Sequence, residues 1–218
     1  MNHKRIIIIC GHYGCGKTNL SINLAVDFTN SGEDVILVDM DIVNPYFRSS
    51  DYTVQLQAQG IQMLSPIYAG TNLDAPALTP AIASVFESDK TVIFDVGGDD
   101  AGATALGRYF RNFSSVDYDM FYVINRYRSL TTTAGEASEL LGEIESASRL
   151  RATAVVNNSH LKQLTNAKTI MDSVDFARDV SERLQLPLLF TTAPREIAPD
   201  LKIENIYPVD MYVRTPWE

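Results

Sequence analysis

One octapeptide constrains this chain more than any other stretch: Gly11-His12-Tyr13-Gly14-Cys15-Gly16-Lys17-Thr18. The run before it, Arg5-Ile-Ile-Ile-Ile-Cys10, is β-branched on both faces. A strand buried on both sides of a parallel sheet reads this way. After it the period changes. Leu20, Leu24 and Phe28 recur every four residues, with Ser21 and Ala25 beside them. That predicts an amphipathic helix from Lys17, stopped at Ser31-Gly32. Strand, glycine-rich turn and helix in this order predict a phosphate cradle. Glycines let successive backbone N–H groups point inward at an anion, and the helix adds its positive N-terminus. Lys17 is placed to reach β- and γ-phosphates, and the Thr18 hydroxyl to bind Mg²⁺. The expected contact stretch runs from Gly11 through Asn19.

The bulk properties narrow the class. The chain has 218 residues, enough for one sizeable α/β core. No linker, charge block, low-complexity tract or internal repeat divides it, so residues 1–218 are expected to form a single domain. The net charge of −9 disfavours nonspecific binding to nucleic acid or anionic lipid. The apolar run from Ile6 to Cys10 is too short for a signal segment or a membrane span. A cytoplasmic protein is expected. Cys10 and Cys15 are the two cysteines, and no Cys/His cluster has metal spacing.

The alternation of strands and helices continues. Strands are expected at 34–39, 61–64, 91–95, 119–125, 152–157 and 187–191, with a short closing segment at 207–213. Helices are expected at 76–87, 131–149 and 166–184. The pattern predicts a three-layer α/β/α sandwich around a mostly parallel sheet.

Carboxylates stand where such a sheet binds ligands, at the C-terminal ends of its strands. In Val38-Asp39-Met40-Asp41, Asp39 is a candidate to hold Mg²⁺ through water. Asp41 is a candidate to orient an attacking water, or to cap a turn before Asn44-Pro45. Ile93-Phe94-Asp95 is an apolar strand ending in an acid, which puts the Asp95 carboxylate near Mg²⁺. The glycines that follow, Gly97 and Gly98, allow a backbone N–H to approach the terminal phosphate. Asp99 and Asp100 read as solvated. For the base, no Asn-Lys-x-Asp reader of guanine follows a strand. Asn157-Asn158 does follow one, and an Asn amide can pair with adenine's donor–acceptor edge. ATP is therefore the expected nucleotide.

These residues together resemble the MinD/ParA/CobQ-CobB group of P-loop ATPases. The resemblance rests on Gly11 to Thr18, the Asp39/Asp41 pair, Asp95-Val-Gly-Gly, Val-Val-Asn157-Asn158 and Thr192-Ala-Pro194-Arg195. It implies an Mg-ATP site, nucleotide-dependent switching and an adenine packed on the loop of Pro194 and Arg195. The group's dimerising members carry a second lysine where this chain has His12. That puts a homodimer sharing its nucleotides in doubt. Histidine is shorter and mostly neutral at pH 7. The tail lacks a basic amphipathic helix, and Cys15 is expected to matter through its backbone N–H. Two further stretches remain open. Asn44 to Arg48 would form a switch loop that meets a partner or packs down. Arg126 and Arg128 could hold a phosphate or carboxylate. Two functions are expected in turn: a slow ATPase that signals to a protein partner, or an ATP-dependent enzyme that activates a small carboxylate. Lys17 and Asp41 are the candidate catalytic residues in either.

Overall fold

The computed structural model describes residues 2–41, 49–65, 80–98 and 100–213. Eight strands alternate with helices. The strands are β1 (Ile6–Gly11), β2 (Val35–Met40), β3 (Gln62–Leu64), β4 (Thr91–Val96), β5 (Tyr118–Ile124), β6 (Ala154–Asn157), β7 (Leu188–Pro194) and β8 (Ile206–Val209). The helices are α1 (Lys17–Asn30), α2 (Thr53–Gln57), α3 (Pro80–Ser84), α4 (Asp100–Gly107), α5 (Phe110–Phe113), α6 (Ala134–Ser148), α7 (Ala167–Met171) and α8 (Val174–Leu184).

The strands form one sheet in the order β3-β2-β4-β1-β5-β6-β7-β8. Every pairing is parallel. Successive side chains of a strand point to opposite faces, and β1 shows the consequence. Ile6, Ile8 and Cys10 pack into one apolar cluster with residues of α4, α6 and α8. Ile7 and Ile9 pack into another with Leu20, Leu24 and Phe28 of α1. Ile6 to Ile9 are each 0 % exposed. Burying such a side chain contributes about 1.5–3 kcal/mol, so β1 anchors both layers at once. The three-layer sandwich expected from the sequence is present. Pro208 sits in β8, at the edge of the sheet, where its missing N–H costs no ladder bond.

The helices differ from expectation in three places. The helix expected at 166–184 is two, α7 and α8. Between them Ser173 turns its hydroxyl inward to the Ile170 carbonyl (2.7 Å), and the Asn157 amide donates to that same hydroxyl (2.9 Å). A buried polar anchor thus interrupts the helical run. The described part of the helix expected at 76–87 is α3 followed by one 3₁₀ turn over Val85–Glu87. Finally, α4 and α5 occupy a stretch where Asp99-Asp100 read as a solvated turn. Residue 99 lies outside the described residues, and α4 begins at Asp100. This helix is rich in small residues because its neighbours come close. A methyl on Gly102 would lie 2.4 Å from the Gly97 carbonyl oxygen, and one on Gly107 would lie 2.7 Å from that of Ala147. By contrast α6 starts where its sequence says it should. Thr133 and Glu136 form a reciprocal capping box at its N-terminus.

Candidate functional site

From β1 the chain crosses to β2, returns through β4 on one flank of β1, and continues to β5 on the other. The strand order reverses at β1, and an open parallel sheet binds ligands outside the C-terminal ends of its strands at such a point. The octapeptide lies there. Gly14 and Gly16 have φ of +73° and +88°, a region that favours glycine. The Lys17 ammonium bonds the His12 carbonyl (3.0 Å), which holds it under the arch of the loop. The Cys15 N–H donates to that carbonyl too (3.3 Å).

Neighbouring strand ends brace this loop from outside. Arg128, beyond β5, donates from Nε to the Gly14 carbonyl (2.8 Å). Asn158, beyond β6, donates from Nδ2 to the Cys15 carbonyl (2.7 Å) and accepts from the Thr192 hydroxyl of β7. A methyl on Gly16 would meet the Asn158 amide nitrogen at 2.4 Å and the His160 ring at 2.8 Å. The loop is therefore clamped to three strands at once, preformed for an anion.

The acidic groups gather on the other flank. Asp39 and Asp95 occupy paired positions on β2 and β4, each 1 % exposed. Asp39 accepts the N–H groups of Asp41 (3.0 Å) and Ser50 (3.1 Å), so it ties together the two ends of the intervening loop. Burial raises its pKa. Asp95 accepts from Ser21 through Oδ1 (3.3 Å), while its buried Oδ2 accepts no hydrogen bond. Burial, then the Asp39 charge, raises Asp95 to about 7; Lys17 and the hydroxyls of Thr18 and Ser49 oppose the shift. A buried carboxylate oxygen without a donor, next to Thr18 and a second acid, is a donor set that fits a hard divalent cation. Among the described residues no group of three or more His, Cys, Asp or Glu side chains could hold a metal ion unaided. A cation here would draw further ligands from Thr18, water and phosphate.

Asp95 has a consequence for stability. Its folded pKa lies above the ordinary carboxylate value, so the folded state holds the proton more tightly. Its contribution is complete below about pH 4 and is lost as pH rises through about 7. The ligand-free protein should therefore melt at lower temperature at pH 8 than at pH 6. Asp95→Asn should remove most of that slope and stabilise the ligand-free protein at pH 8 by about 2–4 kcal/mol. Thermal melts of both proteins across this range check the prediction; parallel slopes would exclude it.

The two flanks enclose a cavity of about 350 Å³. Its cradle end is lined by His12, Tyr13, Gly14, Gly16, Lys17, Thr18, Asp41 and Gly98. Its far end is lined by Asn158, Thr165, Ile170, Thr192, Pro194, Val209, Met211 and Val213. His12 is pushed below its ordinary pKa by burial and by Lys17, so its ring is neutral at pH 7. Burial raises both thiols, Cys10 and Cys15, which stay protonated.

Four expected positions are corrected by the geometry. Asn157 does not line the cavity: it is 0 % exposed, and its amide bonds Ser173 and the Ser159 N–H. Asn158 lines it instead, with its amide already engaged on Cys15 and Thr192. Arg195 turns away and chelates the Asp210 carboxylate (2.9 and 3.0 Å from Nε), leaving Pro194 at the cavity. Gly98, rather than Gly97, closes on the cradle. A methyl there would lie 2.6 Å from Tyr13 backbone atoms and 2.8 Å from the Lys17 ammonium. Asn19 engages its amide with the backbone of Asp210, Tyr212 and Val213. Of the two arginines, Arg128 reaches the loop, and Arg126 bonds the Asp172 carbonyl instead. His160, which burial pushes down to about 4, carried no signal in the sequence. Residues 44–48, the expected switch loop, lie outside the described residues.

Comparison with known proteins agrees with this site. No curated protein matches the chain. Among solved structures, FtsY from Thermotoga maritima matches at 18 % identity and a TM-score of 0.55, covering 86 % of this chain and 61 % of that one. Signal recognition particle 54 kDa protein from Aeropyrum pernix, in complex with GDP, matches at 16 % and 0.57, covering 87 % and 41 %. Chloroplast FtsY from Physcomitrella patens matches at 19 % and 0.57, covering 88 % and 59 %. The likeness is one of fold, and this chain spans between 41 % and 61 % of the length of these three proteins. No helix among the described residues is long and apolar enough to cross a membrane. The family model for the CobQ/CobB/MinD/ParA nucleotide binding domain matches residues 6–172, from β1 to the end of α7, and the chain belongs to that P-loop nucleotide-binding family.

Proposed function

We propose that this chain is an Mg-ATP-binding P-loop protein that hydrolyses ATP slowly and works as a nucleotide-dependent switch, as one cytoplasmic domain. The observation that carries this reading is the buried, unpartnered Asp95 Oδ2 beside Thr18 and Asp39, on the flank of a clamped phosphate loop. Mg²⁺ bound there supplies charge that neutralises the phosphates. Thr18, Asp39 and Asp95 would hold it, the acids through water. Lys17 and the loop N–H groups would bind the β- and γ-phosphates. Asp41 lines the cradle end of the cavity and would orient the attacking water.

Adenine is favoured over guanine by the lining. Asp41 is the one acid among the lining residues, and it sits at the cradle end. No lining carboxylate at the far end accepts from the guanine N–H groups. The GDP held by the signal recognition particle protein makes guanine the competitor to measure. A protein partner fits the switch reading, because Tyr13 stands 56 % exposed on the phosphate loop itself.

Titration with Mg-ATP and Mg-GTP, followed by phosphate release, tests this. ATP should bind more tightly, and phosphate should appear without any added small acid. Release that requires a small carboxylate would favour the second reading, an ATP-dependent enzyme, which the uncommitted end of Arg128 at the cavity supports. Asp41→Asn should keep ATP affinity within about 3-fold while slowing hydrolysis about 10²-fold, as loss of a group acting on the water does. An unchanged single-turnover rate would remove Asp41 from the mechanism.

A further inference from the structure

The chain beyond β8 runs as an irregular strap, yet it is held as firmly as a strand. Asn19 and Asn23 lie one turn apart on α1. The Asn23 amide both donates to the Asp210 carbonyl (2.9 Å) and accepts from the Asp210 N–H (2.7 Å). Asn19 donates to the same carbonyl (2.9 Å) and accepts from the N–H groups of Tyr212 (2.8 Å) and Val213 (3.2 Å). One turn further, Asp27 accepts from the Tyr207 hydroxyl. Three side chains spaced i, i+4 and i+8 thus form a ladder along one face of α1. Asn23 is 2 % exposed, and an amide buried so deeply is costly unless paired. Arg195 adds a charge-assisted bond to the Asp210 side chain.

The ladder positions the strap against the cavity. Val209, Met211 and Val213 alternate along it, and all three line the far end. Ile170 and Pro194 complete an apolar surface there. Three strand steps separate β1 from β7, about 14 Å in the sheet. A nucleotide anchored by its phosphates at the cradle extends over that span.

We propose that residues 209–213 form the platform for the nucleobase, and that Asn19 and Asn23 are positioning residues that hold this platform from the same helix that begins at the phosphate cradle. The ligand class is a planar heteroaromatic base, packed on Val209, Met211 and Val213. This rests on the nucleotide-binding reading above. One helix then sets both ends of the site: its first residues face the phosphates, and its first two turns set the base wall.

The test separates base from phosphate. Inorganic tripolyphosphate and ATP, each with Mg²⁺, are titrated into wild type, Met211→Asp and Asn23→Ala. Met211 is 47 % exposed, so its substitution leaves the fold intact. Met211→Asp should weaken ATP about 10-fold and tripolyphosphate less than about 2-fold. Asn23→Ala should show the same split, with a lowered melting temperature. If both ligands weaken equally, or ATP binds Met211→Asp as it does wild type, the platform assignment is overturned while nucleotide binding stands. A wild type that binds neither ligand would overturn both readings.

Discussion

Lys17→Ala should weaken Mg-ATP by at least about 100-fold, roughly 3 kcal/mol, and abolish measurable turnover. Lys17 is 7 % exposed, and its one described hydrogen bond runs to the His12 carbonyl. An ammonium held in so little water is poorly screened, which makes its attraction to a phosphate stronger than at an open surface. The variant should still fold. The loop is braced by Arg128 on Gly14 and by Asn158 on Cys15, and neither bond involves the lysine. Removing the cation also removes a charge that holds Asp95 down, so Asp95 should titrate still higher. Calorimetric titration with a melt on the same sample checks both halves of the prediction. Undiminished ATP affinity in a folded variant would refute the assignment of the site.

Gly98→Ala should separate diphosphate from triphosphate. The added methyl would meet backbone atoms of Tyr13 at 2.6 Å, which no rotamer change relieves, and would sit 2.8 Å from the Lys17 ammonium. The end of β4 must therefore draw back from the cradle. That shifts the segment joining Asp95 to the terminal-phosphate side but leaves the braced half of the loop alone. ADP affinity should change by less than about 3-fold, whereas hydrolysis should fall by about 10²-fold, the usual cost of misplacing a preorganised donor. Gly97→Ala is the matched comparison. Its methyl would meet the Asp41 carboxylate at 3.2 Å, the movable end of a side chain, so the loss should be smaller. Equal effects at the two positions would show that Gly98 has no special place.

Much of the architecture is legible in the chain because it follows from local periodicity. Four consecutive isoleucines before the glycines mean a strand buried on both faces, and that alone places β1 at the centre of a covered parallel sheet. Thr133-x-x-Glu136 marks the start of α6 through bonds made within one turn. What escaped was set by contacts distant in sequence. The break between α7 and α8 depends on Ser173 meeting Asn157, 16 residues away. The small residues of α4 look like a turn until Gly97 and Ala147 are seen pressing on them.

The site divides along the same line. Spacing within the chain determined the cradle: glycines, lysine and threonine lie adjacent, and their geometry needs only the local turn. It also put Asp39 and Asp95 at strand ends, since an apolar run that stops at an acid must stop at the edge of the core. Only the tertiary structure decided the far end of the cavity. Adjacent asparagines on a strand face opposite ways, so Asn157 points into the core and Asn158 toward the loop, and no composition reveals which. Asn19 and Asn23 read as ordinary polar residues on a helix. Their role appears once β8 has crossed the sheet and laid the strap across α1, nearly 190 residues downstream. Short-range sterics wrote the phosphate cradle into the sequence; the wall opposite it exists only because distant segments meet.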